Sequence, residues 1–386
     1  MKGFFTEGTE FDKTSLGSVP RCGACGLYKD CQTPKIPVQG EGGKRVLIVG
    51  DAPGIQEDES GELFTGQSGQ KLRECLGTIG IDLEEDAWVT NSLICHTDKL
   101  PDSKQVGWCR PNLASAISKL KPRVVITLGR FPLTSILAEY WTRVDELERW
   151  VGWKIPLERH WLCPTYHPNF LSRQKNSLVE KKFIKDLRRA FAIDRDPPKQ
   201  PDWEEKVEIL YEEDEIVDAL EEIGQSEWTA FDYETNCLKP EYPEAKIYSC
   251  AVSNGDRTIS YLWKGGAIEA TGEYLRGKSK KIASNLKFEE KWTRMEFGHG
   301  VRNWGWDTMI AAHCQDNRPG ICSIKFQSFV KLGCPSYNEV VAPYLSSSGW
   351  YNRIHHIDVR QLLLYGGMDA ILEYKVAMKQ RKEMGY

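Results

Sequence analysis

The stretch IDRDPPKQPDW, residues 193–203, constrains the fold of this chain more than any other segment. Its three prolines lack backbone N–H groups, so neither a helix nor a central strand can run through them. The charges around the prolines complete a linker composition. Two halves are therefore expected, 1–192 and 206–386, joined over 193–205. A chain of 386 residues, 40% hydrophobic and 27% charged, is long enough to bury a separate core in each half.

The chain reads as α/β overall, with parallel strands in the first half and a mixed arrangement in the second. In the first, RVLIVG (45–50), AWVTNSLI (87–94) and RVVITLG (123–129) are short β-rich runs, alternating with helical stretches around Gln67 to Gly77 and Arg110 to Leu120. That alternation predicts parallel strands with crossover helices and a site at the strand C-termini. In the second, KVEILY, a helical EEDEIVDALEEIG and the run WTAFDYET come first. KIYSCAVSNGDRTISYLW follows, with Asn254-Gly255 between two alternating runs, a hairpin signature. This half is expected to be mixed α+β.

The N-terminal MKGFFTEGTEFDKTS has no apolar signal core and no later run reaches membrane-spanning length, which predicts a cytoplasmic protein without a membrane partner. In a reducing compartment twelve cysteines do not read as six disulfides. Cys163, Cys250 and Cys314 read as small core residues. Cys22 and Cys25 form a C-x2-C, and Cys95 and Cys109 lie after the second strand and before a helix. Four thiolates suit zinc or an iron–sulfur cluster, which spacing does not separate, and Cys31 is a spare thiol.

The net charge of −4 argues against a generally basic nucleic-acid binder. Locally, residues 173–189 hold seven Lys/Arg against two acids, with Arg173 and Lys175 as candidate DNA contacts. The same segment reads equally well as a solvated helix face.

Three stretches sharpen the first half: VGDAPGIQEDESGELFTGQSG (49–69), TNSLICHTD (90–98) and PTYHPNFL (164–171). In this order, beside these cysteines, they resemble the signatures of family 4 uracil-DNA glycosylases over about residues 20–192. The resemblance implies a three-layer α/β/α glycosylase-like fold and a four-iron four-sulfur (4Fe-4S) cluster on Cys22, Cys25, Cys95 and Cys109. It also implies a uracil site of Gly50, Asp51, Phe64, Asn91 and His167, with Asp51, Asn91 and His167 catalytic. The residue types suit base extraction. Phe64 can stack on the flipped ring, and the Asn91 amide can match O4 and N3–H of uracil but not cytosine. His167 can donate to O2 as charge builds there, and the DAPG backbone N–H groups approach the ligand. Two positions depart from the family pattern: Asp51 stands where glutamate is usual, and CHTD replaces CRPP.

In the second half Asp232-x-Glu234 ends a β-type run, so strand periodicity puts both carboxylates on one face. FDYETN, SNLKFEEKW (284–292), WDTMIAAH (306–313) and YGGMDAILEY (365–374) together resemble the proofreading exonuclease of family A DNA polymerases, from about Lys206 to the C-terminus. The resemblance implies a ribonuclease H-like (DnaQ-type) fold and two-metal hydrolysis of DNA from a 3′ end with Mg2+ or Mn2+. Asp232, Glu234 and Asp369 are the implied ligands, Tyr365 the residue orienting water, and Glu289 stands where the family has aspartate. Asp307 is a fallback carboxylate.

The combination looks like the front of a phage-type family A polymerase acting on single-stranded DNA or 3′ ends. Either a partner polymerase or a longer product is expected to supply the polymerase. Two other readings stay open: a nuclease whose first half only binds uracil or DNA, and a non-enzymatic polymerase assembly factor.

Overall fold

The computed structural model describes residues 19–141, 144, 146–174, 177–346 and 349–386. The chain divides into two compact units, Met1–Lys199 and Gln200–Tyr386.

The first unit is built on a five-stranded sheet of order β2-β1-β3-β5-β4. Its strands are β1 (Val46–Gly50), β2 (Ala87–Asn91), β3 (Val124–Leu128), β4 (Ile155–Pro156) and β5 (Trp161–Thr165). All pairs are parallel except the short antiparallel β4. β1 and β3 are buried at every position, as a parallel sheet covered on both faces requires. Ile48, Val124 and Ile126 join Leu72, Leu76, Phe183 and Leu187 in one core, supplied by the helices Gln67–Gly77 and Ser177–Phe191. The helix Arg130–Leu137 packs on β1 and β3, and the helix Ser103–Leu120 packs on it. The unit is thus a three-layer α/β/α sandwich. The helix expected at Arg110 starts earlier, at Ser103, because Asp102 caps it and Pro111 is accommodated inside. β5 was not foreseen; Pro164 interrupts its sequence pattern.

The second unit carries a six-stranded sheet of order β11-β10-β7-β8-β9-β6. These are β6 (Val207–Leu210), β7 (Trp228–Thr235), β8 (Ile247–Ser253), β9 (Thr258–Leu262), β10 (Lys280–Ala283) and β11 (Trp304–Asp307). β7, β8 and β9 form an antiparallel meander, with the β8–β9 hairpin where Asn254-Gly255 signals it. β10 and β11 continue in parallel beside β7, the ribonuclease H-like arrangement. Alternation along β7 sends Phe231 and Tyr233 into a core with Ile216, Leu220 and Trp292. Asp232 and Glu234 consequently point to the opposite face, which the helix Val359–Met384 covers by packing across β7, β8 and β9.

Close approach of that helix depends on Gly367, since a Cβ there would overlap Val207 Cγ1. Gly367→Ala is expected to cost about 1–3 kcal/mol, read as a lower urea midpoint for this unit. Cys163 and Cys250 are buried as expected. Cys314 is exposed, contrary to the sequence reading, because it falls on the outer side of the helix Thr308–Gln315.

Candidate active sites

Parallel register sets Gly50 directly beside Asn91 at the ends of β1 and β2. A Cβ on Gly50 would press on Asn91 Oδ1 and stand 3.0 Å from Phe64 Cζ. A Cβ on Gly129, at φ +99°, would stand 3.2 Å from Asp51 Oδ1 and 3.3 Å from His167 Cβ. At the strand C-termini Asn91 and Phe64 thus flank Gly50, and Asp51, the next residue, lies with His167 beside Gly129. Gly50→Ala is expected to push Asn91 and Phe64 out of place and to cost about 1–3 kcal/mol, read as a lower urea midpoint for this unit.

Phe64 is buried in the left-handed region at φ 57°, an unfavourable conformation for an aromatic residue. Its carbonyl accepts from Arg73 Nη1, and Gly69 leaves room for that carbonyl by having no Cβ. Burial raises the Asp51 carboxyl to about 7, and its Oδ1 is buried without a hydrogen-bond partner. Burial, with Arg173 nearby, lowers His167 to about 4, so the ring is neutral near pH 7. The Asn169 N–H donates to His167 Nδ1 at 3.2 Å, which leaves the ring proton on Nε2.

Cys22, Cys25, Cys95 and Cys109 line a single small cavity with Tyr28 and Trp108. Their elements are joined by the Arg21 N–H to the Trp108 carbonyl and by Ile36 N–H to the Ile94 carbonyl. Asn112 Nδ2 lies 3.5 Å from Cys109 Sγ. Burial above all, with neighbouring thiols adding to it, pushes Cys95 to about 12. Four thiols lining one cavity are a donor set suited to a soft metal centre.

In the second unit Asp232, Glu234 and Asp369 bring ligand oxygens within 4.8 Å of one another, the only such group of acid, histidine or cysteine ligands among the described residues. Tyr365, Asp369 and Glu373 form one stripe of the helix Val359–Met384. Burial and then the Asp369 charge raise Asp232 to about 8. Burial and neighbouring carboxylates likewise hold Glu234, Glu289 and Glu373 well above the usual range. Glu289 Oε2 and Glu373 Oε2 are buried without partners. This surplus of unneutralised acids fits a divalent cation site.

Sequence reading missed three members of this site. Lys325 Nζ donates to Asp369 Oδ2 at 2.5 Å and lies 4.7 Å from the Tyr365 ring centroid. The Tyr337 hydroxyl donates to Asp369 Oδ1. Glu373 was quoted within its motif but given no role. An i, i+4 spacing from Asp369 could have flagged Glu373; no local pattern marks Lys325 or Tyr337. Asp307 is not a spare ligand. Its carboxylate accepts from the Met309 and Ile310 N–H groups as a helix cap, and from those of Asn285 and Leu286.

The Uracil DNA glycosylase superfamily model matches residues 37–188. The type-4 uracil-DNA glycosylase of Pyrobaculum aerophilum is 34% identical over 191 residues, which cover 47% of this chain and 95% of that protein. The chain belongs to the uracil-DNA glycosylase superfamily. A DNA polymerase of Bacillus phage SP01 is 26% identical over 320 residues, covering 71% of this chain and 33% of the polymerase. Escherichia coli RNase D, an exoribonuclease involved in structured RNA processing, has a similar solved structure: TM-score 0.36, 13% identity, 46% of this chain and 45% of that one. The sheet order described above, rather than this likeness, defines the second fold.

In the glycosylase unit the basic segment splits. Arg173 is exposed at the end of the helix Pro168–Gln174, near His167; Lys175 lies outside the described residues. Further on, Lys182 pairs with buried Asp186 at 3.4 Å, and Phe183, Leu187 and Ala190 face the core, so much of the segment is an amphipathic packing helix. His96, in the departing CHTD, donates from Nδ1 to the Pro53 carbonyl at 2.8 Å. Buried Asp58 accepts from Gln32 and Thr33 N–H groups at 2.9 and 3.0 Å. The cysteine-bearing loops are thereby tied to the glycosylase loop that carries Asp51. No helix among the described residues is long and apolar enough to cross a membrane.

Proposed function

We propose that the chain is a two-site DNA enzyme, excising uracil in its first unit and shortening DNA from the 3′ end in its second, beside a family A polymerase. The observation that carries the reading is convergence: three distant motifs of the first unit and two of the second bring their chemical groups together. The phage polymerase likeness, which extends beyond the glycosylase unit, supports the polymerase setting.

For uracil excision, Phe64 stacks on the extruded base and Asn91 reads its N3–H and O4. As the glycosidic bond breaks, its electron pair passes to uracil and charge gathers on O2. The neutral His167 donates from Nε2 to that oxygen, in a site dry enough to strengthen the bond. Asp51, when ionised, stabilises the positive sugar and orients the water that adds to it. Arg173 holds the adjacent DNA phosphate, with Lys175 as a second contact. Cys22, Cys25, Cys95 and Cys109 are the ligands of a 4Fe-4S cluster whose role is structural, anchoring the loops that meet at Asp51. Anaerobically purified protein should be brown and contain iron and sulfide; a colourless protein with stoichiometric zinc overturns that assignment.

For the nuclease, Asp232, Glu234 and Asp369 would hold divalent metal, with Glu289 and Glu373 adding negative charge. Bound Mg2+ or Mn2+ would stabilise the attacking and leaving oxygens of phosphodiester hydrolysis. Tyr365, kept protonated by burial and by the Asp369 charge, orients water. Lys325 neutralises Asp369 and holds its carboxylate in place.

Two substrates test the proposal: a single-stranded oligonucleotide with one internal uracil, and its uracil-free, 5′-labelled counterpart. Abasic product from the first and Mg2+-dependent 3′ shortening of the second are expected. Nuclease without excision leaves a uracil- or DNA-binding first unit, and absence of both leaves an assembly factor.

A further inference from the structure

Asp369 belongs to the group of three acids whose oxygens meet in the second unit, and it also anchors a cation of the chain's own. Lys325 Nζ donates to Asp369 Oδ2 at 2.5 Å, and the Tyr337 hydroxyl donates to Oδ1. Both oxygens of this carboxylate thus already accept from the chain. The ammonium lies 4.7 Å from the centroid of the Tyr365 ring and 5.7 Å from that of Tyr337, so two aromatic rings and a carboxylate cradle it. Lys325 is the second residue of the helix Ile324–Leu332. Its side chain is 22% exposed, against 5% for that of Asp369, which leaves the ammonium a way out to solvent.

The charge of Lys325 reaches beyond Asp369. Burial first, and neighbouring carboxylates next, raise Asp232, Glu234 and Glu373, and Lys325 draws all three back down. The ammonium therefore offsets the same crowded acids that a divalent cation would offset. The two cannot share Asp369 without conflict, because two cations on one buried carboxylate repel each other at low effective dielectric. Tyr337 carries no charge and imposes no such conflict.

We propose that Lys325 is a resident counter-cation that competes with divalent metal for Asp369, so that the ammonium must leave Oδ2 as the site loads and this one residue holds metal affinity down.

The competition rests on the metal-site part of the function proposed above, and the support that Lys325 gives to Asp369 then belongs to the site before metal binds. A lysine that merely propped Asp369 for the metal would act in the opposite sense, since its loss would loosen a ligand. The two roles predict opposite changes in affinity.

Isothermal titration calorimetry of Mn2+ into the full chain, without DNA and near pH 8 so that the acids are largely ionised, reads the sign. Asp232→Ala serves as the blank for ions bound elsewhere. Lys325→Met keeps the length and removes the charge; it is expected to tighten Mn2+ binding at the carboxylates about tenfold. Lys325→Arg keeps the charge and should stay within about threefold of wild type. Tyr337→Phe frees the other Asp369 oxygen without removing charge and should bring no tightening. A readout on the wild type guards against a fold effect of the substitutions: acetic anhydride labelling of Lys325, followed by mass spectrometry, should rise several-fold when Mn2+ saturates the site. Unchanged or weaker Mn2+ binding by Lys325→Met overturns the proposal, as does labelling that Mn2+ leaves unmoved. Equal tightening by Tyr337→Phe also overturns it, because the freed oxygen and not the lost cation would then be the cause. Mn2+ binding that Asp232→Ala does not diminish removes the metal site and the competition together. Tightening by Lys325→Met in a protein that never shortens DNA would instead uphold the competition and remove the nuclease reading.

Discussion

Asp232→Ala is expected to abolish 3′ shortening, by about a thousandfold or more, while uracil release stays at the wild-type rate. The loss corresponds to about 4 kcal/mol of transition-state stabilisation, the scale expected when a shared metal ligand is removed. The reason is local: Asp232 is one of three acids whose oxygens meet within 4.8 Å. A second readout separates metal loss from misfolding. Mg2+ should raise the melting temperature of the wild type and leave that of the variant unmoved. Without metal, the variant should melt no lower than wild type, because the removed carboxyl is desolvated and repelled by Asp369. Near-wild-type nuclease activity in the variant would overturn the site.

Uracil excision is expected to rise with pH and level off above about 7, following ionisation of Asp51 from its raised value of about 7. His167, lowered to about 4, stays neutral across this range and adds no second limb. Asp51→Asn should flatten the profile and lower the plateau by about a hundredfold. Stability runs the other way. A carboxyl whose folded pKa is raised favours the folded state fully below its ordinary value of 3.8, and that contribution is lost as pH rises through about 7. Asp51→Asn should therefore be more stable than wild type at about pH 8, on the order of a few kcal/mol, and equal to it near pH 4. Urea unfolding at both pH values checks this. A pH-independent rate in the wild type would remove Asp51 from the chemistry.

Those two sites differ in how legible they were. Strand alternation was enough to put Asp232 and Glu234 on one face, and β7 bears this out by sending Phe231 and Tyr233 into the core. Asn254-Gly255 marked its hairpin because a turn is a local event, although the connection takes four residues, 254–257, with only Gly255 of them in the left-handed region. β5 was invisible, since Pro164 breaks the expected composition at a position the sheet tolerates. Asp307 read as a fallback carboxylate, and its carboxylate caps a helix instead. Residue type does not distinguish the two roles.

Chemical identity therefore resided in short stretches of the chain: which acids, which asparagine, which histidine, and which thiols at which spacing. Electrostatic state did not. Asp51 near 7, His167 near 4 and the pairing of Lys325 with Asp369 arise from packing between segments far apart in sequence. Desolvation is a property of what surrounds a group in three dimensions, and no periodicity along the chain encodes it.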